Sequence, residues 1–307
     1  MGMNHKSQIE SLNLRYAIKG HLEFQVGENG LPVARVNNAL AKADIYLQGG
    51  HVTLFQPRGH EPVLWMSSRA QFEHGKAIRG GVPVIWPWFG PHATDSNKPQ
   101  HGFARTAEWT VKNTTVVNGG DTQLQLLLGD SPSTRALWPH VFELTLTITI
   151  GKALTIELTS LNTGRGRFIA GAALHSYFAI SEVSQMHVEG LAGRDYIDQL
   201  DGNQIKHQAD VVRVDQEVDR IYINSEDTCV IHDEVTSRRI LVQKSGSRST
   251  VVWNPWTDKA RAMADFDDEG YQHMLCIETA NAADDVRELA AGEKHTLCQF
   301  ISVSNRK

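Results

Sequence analysis

The chain has 307 residues, of which 41% are hydrophobic and 21% are charged, and its formal net charge is −5. This composition is typical of a soluble globular protein, and the acidic balance argues against a nucleic-acid partner, which requires clustered Lys and Arg. No apolar run approaches the roughly 18 residues of a spanning helix, and the first residues, MGMNHKSQIE, lack the apolar region of a secretory signal. We therefore expect a cytoplasmic protein that does not engage membranes.

In chain order, the sequence begins with a segment for which we predict a disordered tail over residues 1–15. No linker rich in Pro, Ser or Gly divides the remainder, so we predict a single domain over residues 16–307. Strand-like runs separated by turn signals recur along it, namely AKADIYLQGGHVTLFQP, PVLWMS, TQLQLLLGD, RRILVQKS, RSTVVWNPW and HTLCQFISVS. Helical patterns are weak, and the best of them, AADDVRELAAGE, predicts a helix near residues 282–293 with a stop at Gly292.

The clearest periodic segment is FELTLTITIGKALTIELTSL. Hydrophobic residues alternate with Thr and Glu from Phe142 to Ile150, and again from Leu154 to Leu158 after the turn at Gly151. This period of two on both sides of a glycine turn predicts a β-hairpin with one buried face. Because strands do not alternate with helices elsewhere, the sequence predicts an all-β fold, a large antiparallel β-sandwich.

The stretch RGGVPVIWPWFG combines prolines with bulky aromatic residues. Pro83 and Pro87 cannot donate ladder hydrogen bonds, so this stretch is predicted to be a buried irregular segment or an edge of the sandwich. Trp86, Trp88 and Phe89 fit a hydrophobic core, and they equally fit the apolar floor of a sugar site, because pyranose C–H faces pack on aromatic surfaces. The residues alone leave both interpretations open.

Local motifs for metals, nucleotides and disulfides are missing. The three cysteines, Cys229, Cys276 and Cys298, are far apart and form no C-x-x-C pair, which argues against a zinc ribbon or a disulfide framework. The 14 histidines are scattered without ligand spacing, and no P-loop, Rossmann fingerprint or G-x-S-x-G elbow occurs. We therefore expect neither a metal nor an organic cofactor.

Four polar residues stand in contexts that would suit a site. His175, Asp219 and Glu278 lie in apolar or strand-like runs, and His101 lies in a polar loop rich in turn residues. A buried histidine or glutamate needs a partner or a ligand to offset desolvation. A structural role is equally compatible with each of them, and the spacing does not show that His175 and Glu278 meet.

Six motifs in register carry a resemblance to a known family. They are GKAIRGGVPVIWPWFG, PQHGFAR, ALHSYF, EVDRIY, VVWNPW and CIETAN. In this order they resemble the hexose-6-phosphate mutarotase branch of the aldose 1-epimerase family, and the similarity spans residues 20–303. The resemblance implies a galactose mutarotase-like supersandwich that interconverts the α and β anomers of an aldohexose 6-phosphate, without a metal or an organic cofactor.

The resemblance also implies a role for each candidate residue. Glu278 matches the family's general base and His175 its general acid, while His101 and Asp219 match residues that hold the ring oxygen and the sugar hydroxyls. Two further residues, Arg79 and Arg105, match arginines associated with the phosphate. A carboxylate and an imidazolium suit hemiacetal opening, which removes a proton from the C1 hydroxyl and adds one to the ring oxygen.

The expected partner is therefore a small hexose phosphate, with glucose 6-phosphate as the first candidate. Guanidinium groups bind a phosphate bidentately, so Arg79 and Arg105 separate this function from that of an aldose 1-epimerase for unphosphorylated sugars. A non-catalytic carbohydrate-binding protein is the alternative of a different class, since a β-sandwich hosts many functions. We expect a monomer or a weak homodimer.

Overall fold

The computed structural model describes residues 5–305, and its helices are few and short. The α-helices are α1 (His5–Tyr16), α2 (Pro132–Leu137) and α3 (Trp256–Ala262). Single 3₁₀ turns occupy Glu28–Gly30, Ala104–Thr106, Asn118–Gly120, Val183–Gln185, Gly270–His273 and Ala283–Asp285. Among the described residues, no helix combines the length and the apolar character needed to cross a membrane.

The strands run through the whole chain and are numbered in chain order. They are β1 (Leu22–Val26), β2 (Pro32–Asn37), β3 (Ala41–Tyr46), β4 (His51–Pro57), β5 (Val84–Ile85), β6 (Thr110–Val116), β7 (Thr122–Gly129), β8 (Phe142–Ile150), β9 (Leu154–Asn162), β10 (Phe168–Ala170), β11 (Ala172–Leu174), β12 (Tyr177–Ala179), β13 (Met186–Glu189), β14 (Arg194–Asp198), β15 (Gln204–Gln208), β16 (Val218–Ile223), β17 (Cys229–Asp233), β18 (Arg238–Ser245), β19 (Ser249–Asn254), β20 (Met274–Asn281), β21 (Arg287–Leu289) and β22 (Lys294–Asn305).

Two eight-stranded sheets form the body of the fold. One has the order β15-β14-β16-β19-β20-β11-β5, with β12 also paired to β20, and the other has the order β13-β17-β18-β22-β9-β8-β7-β6. A four-stranded sheet, β1-β2-β3-β4, and the pair β10-β21 complete the structure. The strands pair antiparallel, so the prediction of an all-β antiparallel sandwich is confirmed.

The predicted hairpin is present as β8 and β9. Its two strands pair from Phe142 with Asn162 to Ile150 with Leu154, and each alternates strictly between buried and half-buried residues. The buried face contributes Leu144, Leu146 and Ile148 to the main hydrophobic core. Each fully buried aliphatic side chain contributes about 1.5–3 kcal/mol relative to an exposed one, which is why the period of two decides the register.

The disordered tail predicted over residues 1–15 is wrong for residues 5–15, which belong to α1; residues 1–4 lie outside the described part of the chain. The helix is held by packing that its own sequence does not reveal, since Ile9 and Leu12 pack on the main core. The side chain of Asn13 forms two hydrogen bonds with the backbone of Phe24, at 2.8 and 2.7 Å. The assignment of residues 16–307 to one domain stays a prediction.

The helix predicted near residues 282–293 is also wrong. A single 3₁₀ turn is followed there by β21, which pairs with β10 so that Leu289 lies opposite Phe168 and is buried. The Asp285 carboxylate accepts hydrogen bonds from the Arg248 backbone N–H and from the side chain of Asn281, which ties this turn to the sheet. Tertiary pairing overrides local helical propensity at this position.

The proline-rich stretch forms one edge of the first large sheet, as predicted. Its only regular part is the two-residue strand β5, which pairs with β11, and the Trp86–Pro87 peptide bond that follows is cis. Trp86 is fully buried and packs edge-on against Phe103 and Trp138, so this aromatic residue belongs to the core. Phe89 has a different role, because it lines a cleft.

Candidate active site

A cleft of about 180 Å³ opens beside β16, β19 and β20. Its walls contain all six residues that the family resemblance assigned to a site: Arg79, His101, Arg105, His175, Asp219 and Glu278. Strand register explains part of this convergence, because Asp219 lies opposite Trp253 and Val251 lies opposite Glu278. The structure thus brings the six residues together, while their roles stay predictions.

His175 and Glu278 form the floor of the cleft. Glu278 lies on β20, whose eight residues are all buried, and His175 lies at the break between β11 and β12, both of which pair with β20. This pairing sets Nε2 of His175 3.3 Å from Oε1 of Glu278. The other polar atoms of the pair, Nδ1 of His175 and Oε2 of Glu278, have no hydrogen-bond partner among residues 5–305.

Burial and local charge favour the neutral form of both groups. Desolvation raises the pKa of Glu278 well above its ordinary value, and the negative charge of Asp219 adds to this effect. Desolvation lowers the pKa of His175 well below its ordinary value, with further contributions from His101, Arg105 and Arg79. Glu278 and His175 therefore form a coupled pair in which the neutral form of each is favoured, and transfer of the Glu278 proton to His175 would create a carboxylate and an imidazolium.

His101 borders the same space and its tautomer is set by the backbone. The N–H of Gly90 donates to Nδ1 of His101 at 3.1 Å, which makes Nδ1 the acceptor and leaves the proton on Nε2. Desolvation, aided by Arg105 and Arg79, lowers the pKa of His101 to about 3, so the ring is neutral at ordinary pH. A neutral imidazole with one N–H is suited to donating a hydrogen bond to a sugar oxygen.

The backbone next to His101 requires glycine. His101 itself has a φ of 66°, and Gly102 follows with a φ of 70°. A Cβ on Gly102 would lie 2.0 Å from the carbonyl oxygen of Trp86, which is far inside van der Waals contact. The backbone at Gly102 thus approaches the backbone at Trp86 closely, and this contact holds the His101 ring of the Gln-His-Gly motif against the cleft.

Asp219 is held at the opposite wall by two neighbours that the sequence analysis did not single out. The amide of Gln199 donates to Oδ1 of Asp219, and the ammonium of Lys259 lies 3.9 Å from Oδ2. Desolvation raises the pKa of Asp219, whereas Lys259 and Gln199 act in the opposite direction. Asp219 can therefore accept hydrogen bonds from sugar hydroxyls while its charge is partly balanced by Lys259.

Arg79 is more constrained than the family resemblance implied. Its Nε and Nη2 donate to the two carboxylate oxygens of Asp265 at 3.2 and 3.3 Å, and its Nη1 donates to the hydroxyl of Tyr177 at 3.0 Å. Three of its five N–H donors are thereby used. Tyr177 in turn stacks on the His175 ring with a centroid distance of 4.8 Å, so Arg79 also supports the floor of the cleft.

Arg105 has more donor capacity left for a ligand. Its Nη2 donates to the Gln100 carbonyl at 2.8 Å, which is its only hydrogen bond within residues 5–305. Desolvation lowers the pKa of Arg105, and the positive charge of Arg79 lowers it further. Asp265 and Glu278 raise it. A guanidinium is charged at any physiological pH, so this half-buried cation is poised to bind an anion.

Sequence reasoning missed several residues of the cleft wall. The wall includes Tyr177, Gln199 and Lys259. Asp265 does not line the cleft but accepts a hydrogen bond from Arg79. Tyr177 had a detectable signal, because it lies two positions after His175 in an extended segment and thus on the same side. Lys259 and Asp265 follow the motif VVWNPW in a polar segment that carries no such pattern. Phe89 and Trp253 are further aromatic residues of the wall.

With the geometry in view, comparison with known proteins decides the family. The family model "Aldose 1-epimerase" matches residues 32–301, which is most of the chain. The chain belongs to the aldose 1-epimerase family. Members of this family interconvert the anomers of sugars, so the chain is an isomerase by membership.

Curated relatives and solved structures agree with this assignment. An Escherichia coli protein named "Putative glucose-6-phosphate 1-epimerase" is 37% identical over 88% of this chain and 90% of its own length. A Cenchrus ciliaris protein of the same name is 38% identical over 78% of this chain and 74% of its own. The crystal structure of a "putative mutarotase" from Salmonella typhimurium superimposes with a TM-score of 0.88 at 32% identity, covering 99% of this chain and 100% of that one.

Proposed function

We propose that this protein interconverts the α and β anomers of an aldohexose 6-phosphate, with glucose 6-phosphate as the principal substrate. The observation that carries the proposal is the His175–Glu278 pair at the floor of a cleft bordered by Arg79 and Arg105. The names of the relatives, at 37% identity over 88% of the chain, support the same substrate. A cytoplasmic location and a monomeric or weakly dimeric state stay predictions.

In this proposal, the reaction begins with removal of the proton from the C1 hydroxyl by the Glu278 carboxylate. His175 donates its proton to the ring oxygen, the C1–O5 bond breaks, and an open-chain aldehyde forms. Rotation about C1–C2 presents the other carbonyl face, and ring closure with the two roles reversed gives the other anomer. The general acid and the general base each contribute a rate enhancement of about 10²–10⁴-fold in such reactions.

The phosphate has a second effect besides anchoring. Desolvation lowers the pKa of His175 in the unliganded cleft, and Arg105 and Arg79 add to this effect, which disfavours the imidazolium that the reaction needs. A bound phosphate with close to two negative charges offsets these two cations and thereby favours the proton on His175. The phosphorylated sugar thus promotes its own turnover, and a neutral sugar does not.

A neutral aldose is the alternative substrate, and Asp265 is the observation that favours it. This carboxylate already compensates the charge of Arg79, as the two contacts of 3.2 and 3.3 Å show. Within the described residues, Arg105 is then the arginine of this pair that has no carboxylate in a direct ion pair with it. Even so, a half-buried guanidinium with free donors beside the sugar site matches a phosphate better than neutral hydroxyls, so we favour the phosphate.

The test is the anomerisation rate of glucose 6-phosphate, measured against the spontaneous rate with an anomer-specific coupling enzyme. Wild-type protein should accelerate anomerisation, and Glu278→Gln should lose about 10²-fold or more of this rate while its affinity for glucose 6-phosphate changes little. Glu288→Gln, an exposed glutamate paired with Arg167, is the matched control and should behave as wild type. An active Glu278→Gln variant contradicts the assignment of the base.

A further inference from the structure

Two histidines and a glutamate meet on the second large sheet, which does not carry the cleft. His187 on β13 lies directly opposite His232 on β17, and Glu189 follows His187 by one full strand repeat. Met186 and Val188, which alternate with His187 and Glu189 along β13, point into the core. The three polar residues therefore share the other face of this sheet edge. Cross-strand pairing, and not spacing along the chain, creates the cluster.

The potential ligand atoms of these three residues lie within 4.8 Å of one another. The two carboxylate oxygens of Glu189 are divided between the rings, with Oε2 2.9 Å from Nε2 of His232 and Oε1 4.0 Å from Nε2 of His187. In a tetrahedral zinc site with bonds of about 2.0–2.1 Å, donor atoms are roughly 3.3 Å apart. The observed separations bracket that value, so small side-chain rotations suffice to enclose an ion.

Two ring nitrogens of the cluster, Nδ1 of His187 and Nε2 of His232, are buried and lack a hydrogen bond. The His232 side chain is 9% exposed, and its Nε2 has no hydrogen-bond partner within residues 5–305, although the Glu189 oxygen is near. The contact between Nε2 of His232 and Oε2 of Glu189 therefore does not have hydrogen-bond geometry. The lone pair or the proton on Nε2 does not point at the Glu189 oxygen. Such an unpartnered, buried imidazole nitrogen is what a metal ligand provides before the ion binds.

The second nitrogen of His187 faces a further carboxylate. Its Nδ1 lies 3.4 Å from Oε1 of Glu234, while its Nε2 faces Glu189. The contact does not have hydrogen-bond geometry, and a small rotation of the Glu234 carboxylate would let it accept the N–H that metal-binding histidines commonly donate to a carboxylate. The rings of His187 and His232 are parallel, with an interplanar angle of 3° and a centroid distance of 4.5 Å. This stacking keeps the ligand nitrogens of the two rings close together.

We propose that His187, His232 and Glu189 form a binding site for a divalent transition-metal ion of the zinc type, with water as the remaining ligand. Two imidazoles and one carboxylate form a donor set that Zn²⁺ prefers. The ion would fasten the edge strand β13 to β17, and it would take no part in the reaction at the cleft. The sequence analysis expected no metal, and this site would revise that expectation.

Two arginines border the cluster and set its electrostatics. Arg213 lies near His187. Arg239 lies opposite His232 on β18. Both cations also repel a divalent ion, so removal of the exposed Arg213 charge by Arg213→Gln should tighten Zn²⁺ binding.

The experiment is calorimetric titration of the chelator-treated full chain with ZnCl₂. Wild-type protein should bind one Zn²⁺ per chain, and His187→Ala and Glu189→Gln should each weaken binding by at least about 10–100-fold, the loss that removal of an outer-shell partner alone causes. Glu189 is half exposed, so its amide variant leaves the core intact. His207→Ala, which removes an exposed histidine paired with Asp195, is the matched control and should bind as wild type.

Co²⁺ gives an independent readout, because a four-coordinate Co²⁺ site absorbs visible light strongly and His187→Ala should abolish that signal. Lack of stoichiometric Zn²⁺ binding by wild-type protein, or binding that survives both His187→Ala and Glu189→Gln, overturns the proposal. Anomerisation by His187→Ala should equal that of wild type. Failure of the metal site therefore leaves the proposed function untouched, and the two proposals are tested separately.

Discussion

Nε2 of His175 lies 3.3 Å from Oε1 of Glu278, and both groups are buried at the floor of one cleft. The contact depends on β20, which carries Glu278 and pairs with the strands on either side of His175. Desolvation favours the neutral form of each group, so we expect the pair to titrate as one coupled unit. The predictions below follow from this coupling and from the charges around it.

Removal of either member of the pair should have nearly the full effect of removing both. We expect His175→Asn to reduce kcat for glucose 6-phosphate by about 10²–10⁴-fold, because the ring oxygen loses its proton donor. The double variant His175→Asn/Glu278→Gln should be little slower than the slower single variant, as in other catalytic units. Anomerisation rates of the three variants test this, and multiplicative losses would show that the two residues act independently.

Arg105 should discriminate between phosphorylated and neutral sugars more sharply than Arg79. A hydrogen bond to a charged group contributes about 1.5–3 kcal/mol, so Arg105→Ala should weaken glucose 6-phosphate binding by roughly 10–150-fold. It should not slow glucose turnover, because it also removes a charge that lowers the pKa of His175. Arg79→Ala also removes the support of Tyr177, so both sugars should suffer.

Arg261→Ala is the control for these variants, because Arg261 is an exposed residue of α3 that pairs with Glu269. It should change neither substrate's kinetics. Equal losses for both sugars in Arg105→Ala would remove the phosphate role from Arg105.

Glu278 should make the fold less stable as pH rises. Its pKa is raised in the folded protein above the ordinary value of 4.5, so the folded state binds the proton more tightly than the unfolded chain. By linkage, the free energy of unfolding falls as pH rises from about 4.5 toward the folded pKa. Glu278→Gln removes this dependence and should be more stable than wild type at pH 7–8, with the difference shrinking near pH 4.5.

Urea unfolding at several pH values measures this difference between wild type and variant. Subtraction isolates Glu278 from other titrating groups, and Glu288→Gln again serves as the control. A Glu278→Gln variant that is less stable at pH 8 than wild type would indicate an ionised, stabilising Glu278.

Gly102→Ala should displace His101. The added Cβ would lie 2.0 Å from the Trp86 carbonyl oxygen, and overpacking of this kind costs about 1–3 kcal/mol. Gly59→Ala is the matched control, since Gly59 also has a positive φ, of 80°, but meets no atom within 4 Å. Relative to this control, Gly102→Ala should lower Tm further and raise KM; equal behaviour of both variants would show that the close approach does not position His101.

The sequence predicted those parts of the structure that depend on local periodicity. The hairpin of β8 and β9 and the edge position of the Pro83 stretch were derived from alternation and from proline chemistry alone. The helix predicted near residues 282–293 was wrong, because pairing of Leu289 with Phe168 is a contact between distant segments. The same reason explains α1, which is stabilised by contacts that its weak pattern does not show.

The site was less accessible to sequence reasoning than the fold. Each of His101, His175 and Glu278 looked like an ordinary structural residue, and the family resemblance supplied their connection. Asp265 and Lys259 were missed because their function depends on which charge they face in space. The His187–His232 pair was missed for the same reason, since only strand register makes them neighbours.

The most direct test of the account is the comparison of kcat/KM for glucose 6-phosphate and for glucose with wild-type protein, each above its spontaneous rate of anomerisation. We predict a preference for glucose 6-phosphate of at least about 10-fold, the lower end of what a hydrogen bond to a charged group contributes. The preference should include a higher kcat, since the phosphate offsets the Arg105 and Arg79 charges that add to desolvation in lowering the pKa of His175. Equal or faster turnover of glucose would contradict it.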